Sequence, residues 1–396
     1  MSQNVYIVAA KRTPVGKAVR GVFRHTRPDD MLAFAIKETL ATVPQLDPAL
    51  IEDGIFGCAM PEGPQGMNVA RISVLLAGLP DSVPGMTINR FCCSGIESMS
   101  LLASRIATGA IDCGIAGGIE SMSMVPMGGN SMSGNPNIFN GNADIAIAYG
   151  MGITAEIVAK QYKITREMQD VFALESHNRA IHAIDNGFFK NEILPYEVVF
   201  RNPNPATGLV ADKKLLVEND EGPRRGSDLA ALARLKSPFA AGGSVTAANS
   251  SQMSDGGGCA VLVSEKFMKE HKLEPIARLV SYQVAGVAPD VMGIGPVAAI
   301  PKALKAAGLK QDDMGWIELN EAFAAQALAV IDTLKLDPAK VNPNGGAIAL
   351  GHPLGGTGAV RVATAINGAK RLGEKYAMVT MCIGTGMGAA GILEVL

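Results

Sequence analysis

Buried-strand and amphipathic-helix patterns alternate along most of this 396-residue chain, and they do so twice over. Residues 5–10 form a short apolar run that reads as a buried strand. Pro28-Asp29-Asp30 then opens a helical pattern with Leu32, Ala35, Ile36 and Leu40 on one face. A strand at 54–59, a helix at 68–77, a short strand at 86–89, a helix at 94–107 and a strand at 113–117 follow. After a long interruption the same grammar returns. Strands are predicted at 256–264 and 278–283, a helix at 298–307, a strand at 316–319 and a helix at 323–334. A tight Gly-containing turn, a helix at 355–371 and strands at 377–381 and 389–395 complete it. Such alternation argues for parallel βαβ units. Identity between the halves is low, so the repeat is one of pattern.

Composition fits this reading. Glycine contributes 45 residues and aromatic side chains only 5%. Charged residues make up 18%, against about 25% in an average soluble protein. Disorder, collagen and coiled coil are excluded, and a large α/β protein in which backbone meets backbone is favoured. The formal charge of −2 leaves no basic excess for nucleic acid. So few charges also fit a surface partly covered by partner chains.

The interruption begins with residues 118–150, rich in Gly, Ser, Met, Asn and Pro. Helical patterns follow at 154–162 and 165–186, then polar, turn-rich sequence to about 243. Residues 118–243 are expected to form an inserted loop domain over the core. Residues 1–117 with 244–273 would be one half, and 274–396 the other.

Cysteines stand at 58, 92, 93, 113, 259 and 382, with no C-x-x-C, and the five histidines lack zinc-ligand spacing. Reduced thiols and no metal are expected. Only six apolar residues precede Lys11, too few for a secretory leader. The uncharged stretch 376–393 holds four glycines and reads as buried strands rather than a membrane span. The ending Leu-Glu-Val-Leu is no peroxisomal address, so the expected compartment is the cytoplasm.

Four segments carry side chains fit for chemistry. In Asn89-Arg90-Phe91-Cys92-Cys93-Ser94-Gly95 a strand should meet a helix. A thiol there faces free N–H groups and the positive end of the helix dipole, which lower its pKa. The same segment also suits two small buried core residues. In the segment from Asn344 to Gly355, His352 sits between Gly351 and Pro353 ahead of a helix. It is placed either as a general base or as a core histidine in a turn. In Met381-Cys382-Ile383-Gly384-Thr385-Gly386-Met387-Gly388 a second Cys ends a strand before glycines that leave N–H groups uncovered. A dinucleotide-binding loop is rejected here, because only eight residues follow Gly388. Asn320, at a strand-to-helix junction, suits either a site or an ordinary helix N-cap. Strand ends gather ligand sites in sheet folds, but only tertiary structure can join residues from opposite halves.

Across essentially the whole chain, the sequence resembles the thiolase family. The resemblance is carried by Asn89-Arg90-Phe91-Cys92-x-Ser94-Gly95, Gly117-Gly118-Ile119-Glu120-Ser121-Met122-Ser123 and Met151-Gly152-Ile153-Thr154-Ala155-Glu156. Val245-Thr246-Ala247-x-Asn249, Asn320-Glu321-Ala322-Phe323, the Gly345–Gly355 segment and Cys382-Ile383-Gly384-x-Gly386 complete it. It implies a thiolase-like α/β fold: two similar βαβ-rich halves in a layered αβαβα arrangement with an inserted loop domain.

The resemblance also implies roles. Cys92 is the nucleophile that becomes an acyl-thioester; Cys93 occupies a position usually held by a small residue. His352 is the general base, and Cys382 the general acid and base. One oxyanion would be held by His352 and a water fixed by Asn320, the other by the backbone N–H groups of Cys92 and Gly384. Losing one such donor costs on the order of 3 kcal/mol of barrier. Coenzyme A enters as co-substrate, with Arg224 and Ser251 at the matched binding positions. For Arg224 a solvated surface charge, and for Ser251 a helix cap, are the plain alternatives. Lys213 and Lys214 read as a solvated pair.

No metal or prosthetic group is implied, and a homodimer or homotetramer is. Gly150 precedes Met151 where the condensing branch carries a substrate-touching His, and the loop before it is short. This places the chain nearer the degradative 3-ketoacyl-CoA thiolases. Rivals are an acetyl-CoA acetyltransferase, a decarboxylating ketoacyl synthase, an inactive acyl-CoA carrier and a redox protein using Cys92-Cys93. The chain carries no hydratase or dehydrogenase domain, so a separate β-oxidation partner protein is an open expectation.

Overall fold

A computed structural model describes residues 3–396; Met1 and Ser2, which head the segment read against a leader, lie outside the described residues. The first half runs β1 (Val5–Arg12), β2 (Gly16–Lys17), α1 (Pro28–Ala41), β3 (Gly54–Gly57), α2 (Val69–Leu76), β4 (Gly85–Ile88), α3 (Ser94–Ala107) and β5 (Cys113–Ser121). Next come α4 (Pro136–Phe139), α5 (Met151–Gln161), α6 (Arg166–Asp185), β6 (Tyr196–Pro203), β7 (Val210–Val217) and α7 (Leu229–Ala233). The chain then forms β8 (Ser254–Ser264), α8 (Glu265–Glu270), β9 (Ala277–Gly286), α9 (Gly295–Ala307), β10 (Trp316–Leu319), α10 (Ala324–Leu334), α11 (Ala347–Leu350), α12 (Leu354–Leu372), β11 (Tyr376–Ile383) and β12 (Met387–Val395).

Strand pairing repeats between the halves. β3 and β5 are parallel, while β5 with β8 and β8 with β1 are antiparallel. In the second half β10 and β11 are parallel, while β11 with β12 and β12 with β9 are antiparallel. β4 lies parallel beside β3, and a parallel bridge from Ile317 to Val341 stands in the equivalent place. The two sets join where β1 meets β9 at Tyr6–Arg278 and Ile7–Ala277. The expectation of parallel units therefore holds only for β3, β4, β5, β10 and β11. β8 and β12 turn back between parallel neighbours and the junction strands, so the sheet is mixed.

Three apolar clusters explain the layers. One packs α1 and α2 on the outer face of the first strand set. Another packs α9 and α10 on the outer face of the second. The third lies between the sets and is filled by Ile96, Met99 and Leu102 of α3 and Val362 and Ile366 of α12. α3 and α12 can share this inner layer because their backbones touch. A Cβ on Gly358 would stand 2.2 Å from the Ile96 nitrogen, and one on Gly95 2.7 Å from the Ala359 nitrogen. The result is the expected αβαβα stacking.

A two-stranded element, besides β2 and the short helices α4, α7, α8 and α11, escaped sequence reading. The polar stretch before residue 243 contains the β6–β7 hairpin, paired from Tyr196–Val217 to Pro203–Val210. Val198 and Val217 are its buried side chains, and Tyr196 packs edge-on against Phe23 and Phe34. A hairpin with one thin apolar face has too few apolar positions to stand out by period. β5 continues through Ser121, past the limit expected at residue 117.

Candidate active site

Cys92 lies on the turn between β4 and α3, and the turn is tied on both sides. Asn89 Oδ1 accepts from the Phe91 N–H at 2.8 Å while its Nδ2 donates to the Ala59 carbonyl at 2.9 Å. Ser94 Oγ accepts from the Arg90 N–H at 2.8 Å and donates to the Phe91 carbonyl at 2.7 Å. Phe91 sits at φ +46°, a left-handed conformation costly for an aromatic residue. Those side-chain bonds hold it there, and the next residue carries the thiol.

The backbone N–H groups of Gly384 and of Cys92 itself bear on the Cys92 sulfur. Burial pushes the thiol up to about 11; the two N–H groups pull it down and Glu120 adds a further upward push. The expected lowering by the helix terminus is therefore outweighed by desolvation, and the resting thiol is protonated. Cys382, at the end of β11, is 1% exposed. Burial, then charge on Cys92, hold its thiol well above the ordinary range, which places the two sulfurs as electrostatic neighbours. Met151, Phe323 and Met292 pack beside Cys382. A Cβ built on Gly384 would stand 3.8 Å from Met151 Sδ and Phe91 Cδ2, in ordinary van der Waals contact.

His352 sits between α11 and α12. Its N–H is shared between the Gln252 carbonyl at 3.2 Å and Ser254 Oγ at 3.0 Å. The preceding Gly351 adopts φ +97°, where a Cβ would also strike Ser254 Oγ at 2.5 Å. The ring Nδ1 is 2.6 Å from Thr357 Oγ1, and Nε2 is 3.3 Å from Asn320 Nδ2. Burial, then the Arg361 charge, hold the imidazole neutral with a pKa of about 3. Asn320 bonds through its N–H to the Thr380 carbonyl on β11, while its fully buried Oδ1 has no protein partner. It does not cap α10, whose N-cap is Phe323, so the N-cap reading is corrected.

Two contacts set these pairs side by side. β10 and β11 are parallel neighbours, with Asn320 just past the end of β10 and Cys382 one residue before the end of β11. Cys92 packs against the small apolar cluster of Ala59, Met122 and Leu354, the last of them two residues beyond His352. A protonated nucleophilic thiol, a neutral imidazole and a second thiol provide one attacking atom and two proton carriers, the equipment of acyl transfer through a thioester.

The expected coenzyme A positions are less tightly bound in. Arg224 is exposed; its backbone N–H donates to His177 Nδ1 at 3.2 Å and its carbonyl accepts from Ser227 Oγ at 3.2 Å, while its guanidinium has no hydrogen bond among the described residues. Ser251 is half-buried and caps no helix; its N–H bonds to the Ala322 carbonyl at 2.9 Å, two residues from Asn320. Neither hydrogen-bonds to Cys92, His352, Cys382 or Asn320 among the described residues. Lys214 pairs with Glu197 across β6 and β7. Among the described residues no group of three or more His, Cys, Asp or Glu is placed to hold a metal. No helix among them is long and apolar enough to cross a membrane.

The model of the thiolase N-terminal domain matches residues 5–266, and that of the thiolase C-terminal domain matches residues 273–395. The chain belongs to the thiolase family. It is 47% identical over 388 residues to a 3-ketoacyl-CoA thiolase of Bacillus subtilis, covering 98% of each chain. It is 43% identical to the peroxisomal 3-ketoacyl-CoA thiolase B of Mus musculus, covering 99% of this chain and 91% of the relative. The crystal structure of human mitochondrial 3-ketoacyl-CoA thiolase superposes with TM-score 0.89 at 38% identity, covering 100% of this chain and 99% of that one. The Bacillus anthracis acetyl-CoA acetyltransferase superposes with TM-score 0.87 at 37% identity, with the same coverage.

Three parts of this thiolase's site had escaped the sequence reading. Glu120 lay inside a recognised motif without a role, although an acid in an apolar strand run is itself a signal. Thr357 and the buried pair Arg361–Glu318 offered none, because their partners are set by tertiary structure.

Proposed function

We propose that this thiolase cleaves 3-ketoacyl-CoA with coenzyme A, giving acetyl-CoA and a shortened acyl-CoA, as its relatives' names describe. What supports the reading is the Cys92 thiol, whose pKa the Gly384 N–H lowers, together with the buried Cys382 thiol, whose pKa charge on Cys92 raises. His352 Nε2 takes the Cys92 proton as sulfur attacks C3 of the substrate. The C2–C3 bond breaks, its electron pair stays on C2, and Cys382 protonates that carbanion to release acetyl-CoA. Cys382 then takes the proton of incoming coenzyme A, whose sulfur attacks the acyl-Cys92 thioester. Shortened acyl-CoA leaves, and Cys92 recovers its proton from His352.

The N–H groups of Cys92 and Gly384 are assigned to the oxyanion on the attacked carbon. The unpartnered, buried Asn320 Oδ1 is an acceptor suited to a water serving the second oxyanion with His352. Arg224 and Ser251 are assigned to coenzyme A, on the inserted segment 118–243 and beside Ala322 respectively. The degradative reading over condensation is favoured by Gly150, where a Cβ would meet nothing within 4 Å. That space admits longer acyl chains. A cytoplasmic homodimer or homotetramer working with a separate β-oxidation partner protein completes the proposal.

Thiolysis of acetoacetyl-CoA and of a long-chain 3-ketoacyl-CoA, by wild type and Cys92→Ser, tests it. Wild type is expected to cleave both and Cys92→Ser neither. Binding without cleavage by wild type overturns the reading in favour of a carrier, and strict C4 preference overturns the degradative assignment.

A further inference from the structure

A histidine base works only if the nitrogen facing the reaction carries a lone pair, so the other nitrogen must carry the hydrogen. Around His352 three groups bear on that choice. Thr357 Oγ1 lies 2.6 Å from Nδ1 and 3.1 Å from the Pro353 carbonyl, one helical turn back. Asn320 Nδ2 lies 3.3 Å from Nε2. All four residues are buried.

Thr357 has one hydroxyl hydrogen. Donated to the Pro353 carbonyl, as threonines in helices donate to the carbonyl four residues back, it leaves Oγ1 only lone pairs to offer Nδ1. Nδ1 then carries the ring hydrogen and donates it. Nε2 keeps its lone pair and accepts from the Asn320 amide. The opposite tautomer would require two changes together: the hydroxyl would leave Pro353, and the Asn320 amide would turn over to present Oδ1.

We propose that Thr357 is a positioning residue that fixes His352 as its Nδ1–H tautomer, leaving Nε2 unprotonated so that it can exchange the Asn320 contact for the Cys92 proton. The catalytic consequence rests on the reading of His352 as the base; the tautomer itself does not.

The test therefore has two readouts. Protein labelled with ¹⁵N-histidine is examined by NMR at neutral pH, the His352 signals being assigned by their loss in His352→Asn. Wild type and Thr357→Ser are expected to show a protonated Nδ1 and an unprotonated Nε2, and Thr357→Val the reverse tautomer or a mixture. In acetoacetyl-CoA thiolysis Thr357→Val is expected to lose on the order of 10²-fold in kcat with little change in KM, and Thr357→Ser to stay within about threefold of wild type. Thr357→Ala, which leaves room rather than an unpaired isostere, provides the same readouts if the valine variant fails to fold. An Nε2–H tautomer in wild type, or an unchanged tautomer in the valine or alanine variant, overturns the proposal. A wild type inactive on every 3-ketoacyl-CoA would defeat the functional reading while leaving the tautomer result standing.

Discussion

The Arg361 guanidinium donates to Glu318 Oε2 at 3.3 Å, both side chains at most 1% exposed, and reaches the Gly351 carbonyl at 3.4 Å. One ion pair thus ties α12 both to β10, two residues before Asn320, and to the turn that presents His352. Breaking it from one side leaves a buried charge alone. Arg361→Met is therefore expected to cost about 3–5 kcal/mol of unfolding free energy. Glu318→Gln keeps an acceptor for Trp316 Nε1, which now donates to Glu318 Oε1 at 2.8 Å. Combining the two substitutions should recover at least half the loss. Urea unfolding of the two single variants and the double variant checks this; strictly additive losses would refute the pairing argument.

Glu120 does comparable work on the nucleophile's side. Its carboxylate accepts from the N–H groups of Ala59 and Gly355, each at 2.8 Å, and from Gln65 Nε2 at 2.5 Å. Its negative charge also raises the Cys92 pKa. Glu120→Gln removes that charge in a similar volume. Alkylation of Cys92 by iodoacetamide at pH 8 is expected to quicken by about three- to tenfold as the thiolate becomes easier to form. A rate unchanged or slower in a folded variant would show that Glu120 does not act on the sulfur. Glu120→Ala, which strands several buried donors, should cost at least about 3 kcal/mol.

The neutral His352 makes a prediction about acid. Burial, with Arg361, lowers its folded pKa to about 3, whereas an unfolded histidine titrates near 6.5. Between those values the unfolded chain binds a proton that the folded chain does not. The stability owed to this residue is thus complete above pH 6.5, falls as pH falls below that, and is exhausted near pH 3. Going from pH 7.5 to pH 5, wild type should lose about 2 kcal/mol more unfolding free energy than His352→Asn. Equal losses would mean that the imidazole is not held neutral.

These pairs mark the boundary of what sequence can say. The strand–helix order was legible because burying one face of a strand or helix requires a fixed period, and 94–107 and 316–319 were read to the residue. Cys92, His352, Cys382 and Asn320 were legible as residue types at strand ends and helix starts. Their grouping was not, since it depends on how β10 and β11 align and on Cys92 packing against the cluster that holds Leu354. The resting charge of Cys92 was misread because a helix terminus is visible in sequence whereas burial of the sulfur is not. The direction of β8 and β12 was hidden for a related reason: a strand buried on both faces looks the same whichever way it runs.

Gly150 allows the chain-length argument to be tested by adding rather than removing a side chain. It is the N-cap of α5 at φ −64°, an ordinary conformation for any residue, and a Cβ there would meet nothing within 4 Å. Met151, the next residue, packs beside Cys382. Gly150→His should therefore fold as wild type does, with a melting temperature within about 2 °C, since substitutions that touch nothing shift stability little. Its imidazole would occupy space that a long acyl chain needs and a four-carbon substrate does not. The ratio of kcat/KM for a C16 to a C4 3-ketoacyl-CoA is expected to fall at least about tenfold, the scale on which a pocket rejects added methylenes. Steady-state thiolysis across C4, C8, C12 and C16 would read it directly. A ratio that stays constant along the series, in a variant that folds and cleaves C4 normally, would place the acyl channel elsewhere and remove the structural basis for preferring a degradative role.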